Sequence, residues 1–108
     1  MMMQDEIKLS IANLSQLSEQ ENFLLQVSKK SGQLSKFIKS AIPASEKEWL
    51  SDYKSWEISK KWIKEISDIC ISEYEQVFFD IGDELFDLKD SSNYQDFKKK
   101  IIGGHKSN

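Results

Sequence analysis

The stretch from Trp49 to Leu88 most constrains what this chain can fold into, because its apolar residues recur at helical intervals with no proline among them. Trp49, Tyr53, Trp56, Ile63, Ile66, Cys70, Tyr74, Val77, Ile81, Leu85 and Leu88 follow one another three, four or seven positions apart. A helix returns these spacings to one face. Ile58, Trp62, Ile69, Phe78 and Phe86 widen the stripe enough for packing on two sides. Just upstream, Ser45-Glu46-Lys47-Glu48 has the form of a capping box. Together these features predict one long central helix over about residues 46–88. Such a helix would measure about 65 Å at about 1.5 Å per residue. A compact domain of this length has a radius of gyration of about 13 Å. The helix is therefore expected to be kinked or broken between 66 and 83, where Ser67-Asp68, Ser72 and Gly82 supply weak points.

The flanking segments read the same way. Ile7, Ile11 and Leu14 predict a helix over about 5–16, and Ser18-Glu19-Gln20-Glu21 is a second capping box. Leu24, Val27, Leu34, Ile38 and Ala41 keep helical phase over about 19–41, with Ser31 filling the gap. Gly32 is tolerated there as an interior weak point costing about 1 kcal/mol relative to alanine. Pro43 ends that helix, because the residue before a proline avoids helical geometry. Ser92-Asn93-Tyr94-Gln95 can cap a short terminal helix carrying Phe97 and Ile101 and closed by Gly103. No Asn-Gly or Asp-Gly hairpin turn is present. The expectation is an all-α protein: a small bundle of four to five helices, with a single domain over 1–102 and a flexible tail over 103–108.

Composition excludes more chemistry than it suggests. All 15 basic residues are lysine, so the guanidinium fork that reads guanine edges and grips phosphate in bidentate fashion is missing. With a formal net charge of −3, nucleic acid is not an expected partner. A lone cysteine, Cys70, cannot form an internal disulfide, and a lone histidine, His105, lies in the expected tail. Neither zinc ligation nor Cys–His or Ser–His–Asp catalysis finds a full set of residues. The expectations are therefore no enzymatic activity, no cofactor and no metal. Apolar runs stay far below the roughly 20 residues that span a bilayer, and the N-terminus lacks a basic, apolar leader. No membrane partner is expected, and a cytoplasmic location is.

Two clusters are candidates for binding. On a helix, the acidic segment would gather Glu73, Asp80, Asp83, Glu84, Asp87 and Asp90 into a negative stripe against Lys89 alone. Like charges at such spacing repel, and a cationic protein partner would relieve them. Trp49, Tyr53 and Trp56, at i, i+4 and i+7, are candidate aromatic anchors. These features point to a non-catalytic acidic inhibitor or neutraliser of a basic partner, of the immunity-protein or antitoxin type, for example against a toxin nuclease. The alternative is a structural or adaptor protein that homodimerises through its long helix.

Overall fold

The computed structural model describes residues 10–16 and 21–102. The chain runs β1 (Ile11–Ser15), β2 (Asn22–Val27), α1 (Gly32–Ala41), β3 (Lys47–Leu50), β4 (Ser55–Ser59), α2 (Ile63–Glu73), β5 (Gln76–Asp80), β6 (Leu85–Asp87) and α3 (Ser91–Phe97). The strands form one six-stranded sheet in the order β3-β4-β2-β1-β5-β6. Only β1 and β5 pair in parallel; all other neighbours are antiparallel. This overturns the all-α bundle. No helix spans 46–88: that stretch holds β3, β4, α2, β5 and β6. Its one α-helix, α2, ends at Glu73 and gives way to a strand rather than to a second helical arm. A route to homodimers through a long helix disappears with it.

The physical reason is an ambiguity of period. In β2, Phe23 and Leu25 are buried while Leu24 and Gln26 are exposed, a two-residue alternation. Leu24 and Val27 had fitted a helix only because three positions separate them. In β5, Val77 and Phe79 are buried and Asp80 is exposed. Cross-strand partners extend the buried face through Leu14 opposite Leu25, Phe23 opposite Ile58, and Phe79 opposite Phe86. Three helices contribute Leu34 and Ile38, Ile63, Ile66 and Cys70, and Phe97 to the same core. The helices therefore cover one face of the sheet.

Local signals find different uses from those expected. Ser31 is the N-cap of α1, its hydroxyl accepting from the Leu34 N–H at 3.3 Å, so Gly32 opens the helix instead of weakening its middle. The helix stops at Ala41, just before Ile42-Pro43. Ser45 lies in a short 3₁₀ turn, Ala44–Glu46, followed by a strand. There Glu46 accepts from the Trp62 indole at 2.7 Å and pairs with Lys61 at 2.9 Å, which together hold its carboxyl below the usual range. The Lys47 ammonium donates to the carbonyls of Ile38 and Lys39, closing the last turn of α1 from the sheet. Asp90, not Ser92, caps α3, accepting from the Asn93 N–H at 3.0 Å. A π-helical turn, Lys98–Ile102, continues α3. Ile7, most of the Ser18–Glu21 capping box and Gly103 with the tail lie outside the described residues.

One polar group sits badly. Ser67 on α2 is fully buried, and among the described residues its hydroxyl has no hydrogen-bond partner. An unpaired buried hydroxyl costs about 1–3 kcal/mol, and serine is also the poorer helix former than alanine. Ser67→Ala should therefore raise the urea midpoint of unfolding, by about 1 kcal/mol in stability. A lower midpoint would show that the hydroxyl is satisfied in solution.

Candidate interaction surface

The side of the sheet away from the helices has no covering element among the described residues. Strand alternation puts Glu48 and Leu50 of β3 there, with Glu57 of β4, Leu24 and Gln26 of β2, Asn13 and Ser15 of β1, Phe78 and Asp80 of β5, and Leu85 and Asp87 of β6. Side-by-side pairing aligns Glu48, Glu57, Leu24, Ser15, Asp80 and Leu85 into a single row across all six strands. Neighbouring strands lie about 4.8 Å apart. Glu57 and Asp80, separated by β2 and β1, are therefore about 14 Å apart across the sheet.

The charge on this face has one sign. Among the described residues, Glu48, Glu57, Asp80 and Asp87 lie on it and no lysine does. Each described lysine is on a helix, in a connecting segment or, for Lys47, on the helix-facing side of β3. Glu48 stands directly opposite Glu57, a like-charge pair that costs stability. Glu57 draws a 3.1 Å hydrogen bond from Asn22, but among the described residues neither carboxylate has an ion-pair partner. Exposed apolar groups lie among the acids: Leu24 at 36 % and Leu85 at 57 %, with Tyr53 at 68 % on the rim. A shallow depression of about 320 Å³ opens between Asn13, Leu24, Gln26 and Tyr53.

The six acidic residues expected on one helical stripe are divided among several tasks. Asp80 and Asp87 reach the open face as diagonal neighbours on paired strands. Asp80 also accepts from the Gly82 N–H at 2.8 Å, shaping the β5–β6 turn, where Gly82 takes φ 102°. Asp83 and Glu84 belong to that turn, and Glu84 pairs with Lys100 at 2.7 Å. Glu73 ends α2, at the other end of β5 from Asp80, and accepts from the Ser31 hydroxyl at 2.7 Å. Asp90 is the α3 cap, and the Asn93 N–H holds its carboxyl below the usual range. What sequence reasoning missed is the pair Glu48 and Glu57. They are nine residues apart, and only a hairpin makes them neighbours.

The aromatic trio also divides. Trp49 and Trp56 face each other across the β3–β4 hairpin on the helix side, rings edge-on at 5.5 Å. Trp49 stays half exposed while Trp56 packs against the core. Tyr53 lies in the hairpin turn. Among the described residues, no group of three or more His, Cys, Asp or Glu side chains is placed to hold a metal ion, and no helix is long and apolar enough to cross a membrane. Compared with protein-family models, curated proteins and solved structures, the chain gives no match.

Proposed function

We propose that this protein is a non-catalytic binding module that covers a basic surface of another protein with the open face of its sheet, acting as an inhibitor or neutraliser. The observation that carries the reading is the row from Glu48 to Leu85, with carboxylates on both flanks of a neutral, partly apolar centre and, among the described residues, no lysine on the face. Opposite charge speeds encounter and fixes register, while buried apolar groups supply most of the adhesion. The unrelieved Glu48–Glu57 repulsion would be relieved by a cation placed over both. A nuclease-type toxin suits this role, because a cleft built for a polyanion is basic. Its cations would need to meet two acidic centres about 14 Å apart.

The test uses charge changes that spare the fold. Glu48→Lys places a lysine opposite Glu57 and turns a repulsive cross-strand pair into an attractive one, and Asp80 is exposed. The double variant Glu48→Lys/Asp80→Asn should keep the wild-type melting temperature, because the asparagine amide oxygen can still accept from the Gly82 N–H. Wild-type protein immobilised at low salt should retain a basic protein from native lysate. With that protein purified, calorimetry should give binding at least about 100-fold weaker for the double variant, and wild-type affinity should fall as salt rises. Retention of an acidic partner, or equal affinity for the double variant, would sink the proposal.

A further inference from the structure

On the opposite side of the sheet, a cleft of about 450 Å³ opens between α1 and the strands β2, β3 and β4. Its floor is apolar, built from the core residues Leu25, Leu34 and Ile38. Trp56 and the half-exposed Trp49 form one wall. Lys29, Lys30, Lys39 and Lys54 line it as well. The volume falls in the range of small-molecule sites, about 300–1,000 Å³.

Three observations bear on this lining. First, among the described residues none of the four has an ion-pair partner. By contrast, Lys60, Lys61, Lys64 and Lys100, which line a more open depression elsewhere, are each paired with a carboxylate. The Glu73 carboxylate accepts from the hydroxyl of Ser31, which lines the cleft. Second, the Trp62 indole N–H donates to Glu46, whereas those of Trp49 and Trp56, which line the cleft, have no acceptor among the described residues. Third, Lys54 holds φ 50°, a left-handed backbone that costs a non-glycine residue about 1–2 kcal/mol. Glycine would close this hairpin turn without strain, and lysine there carries a charge to the cleft wall.

We infer that this cleft binds a small organic anion with an apolar or aromatic body, its head group held by the lysines and indole N–H groups and its body lying on the Leu25–Leu34–Ile38 floor. This site is separate from the acidic sheet face, and neither reading depends on the other. The probes are 8-anilino-1-naphthalenesulfonate, which has this chemistry, and its neutral counterpart N-phenyl-1-naphthylamine. The sulfonate should bind at one site, about tenfold or more tighter than the neutral probe, with energy transfer from tryptophan. Decanoate should displace it, and inorganic phosphate should not. Trp49→Ala should weaken binding about tenfold. Lys54→Gly should weaken it while raising the melting temperature, a combination that loss of structure cannot produce. Equal affinity for the two probes, or affinity unmoved by both substitutions, would overturn the inference. Displacement by phosphate alone, or Trp49-dependent sedimentation with phosphatidylglycerol vesicles, would overturn the assignment to a soluble amphiphile.

Discussion

Replacing Phe97 by alanine is expected to cost about 3–5 kcal/mol of stability, the range for truncating a fully buried aromatic ring. Phe97 is completely buried, and its ring lies 5.0 Å from that of Phe79 and 6.1 Å from those of Phe86 and Tyr94. It joins β5, β6 and α3. The helix it anchors has seven residues, too few to persist without tertiary support. Its other ties include the Tyr94 hydroxyl bond to Asp68 at 2.8 Å, the Asp87 N–H bond to Asn93 at 3.2 Å, the Asp90 cap and, just beyond it, the Lys100–Glu84 pair. Losing the ring should free this whole terminal segment. Against a total of about 5–15 kcal/mol for a domain, the melting temperature should drop by on the order of 15–25 °C. The urea m-value should fall too, because a frayed native state exposes less new surface on unfolding. A loss below about 1 kcal/mol would mean that Phe97 does not occupy the core.

The second large effect concerns Cys70, whose thiol is fully buried and pushed up to about 12 by desolvation. At pH 8 such a group is thiolate about once in 10⁴ molecules, whereas a free thiol is roughly a quarter ionised. Reaction with 5,5′-dithiobis(2-nitrobenzoate) should therefore be suppressed more than about a thousandfold relative to the urea-unfolded chain. Labelling should proceed through opening of the structure, and Phe97→Ala should accelerate it. The sign of the pH dependence follows from the same shift. Below the unfolded thiol's range, both states are protonated and the stabilisation is complete. As pH rises from about 8.5 towards about 12, the unfolded chain loses its proton first, and stability falls. Tyr74, also raised to about 12 chiefly by burial, adds to the decline at the upper end. Cys70→Ala should flatten the first part of this curve in urea titrations at pH 8, 9.5 and 11. Rapid labelling of the folded protein would refute the buried placement.

Helical segments of the fold were legible where the apolar pattern could satisfy only one period. Leu34 and Ile38 ahead of Pro43, and Ile63, Ile66 and Cys70, are the inward faces of α1 and α2. The strands were not legible, because they are three to six residues long and a run of that length fits several periods. Trp49 and Trp56 illustrate this. Seven positions apart, they fit one helix face, yet they meet because the chain reverses between them. That reversal carries no Asn-Gly signal, since Lys54 occupies its left-handed position. Val77 and Phe78 both fitted the widened helical stripe, but in β5 Val77 faces the core and Phe78 the open side of the sheet. The acidic segment was visible as composition only. Its grouping on a surface depended on pairings such as Phe78 with Asp87 and Asp80 with Leu85, which connect residues through a turn.

A formal net charge of −3 describes this molecule poorly at close range, because among the described residues the open sheet face carries carboxylates alone while four lysines line the cleft on the helix side. Carboxylates on the open side of the sheet and lysines around the cleft on the other give the local charge a component across the sheet. In the field of a charged surface the molecule turns before it touches, and collisions become biased towards the productive orientation. Added salt should slow arrival more than it hastens departure. The two faces are back to back, so an anion lodged on one side leaves the other free to dock.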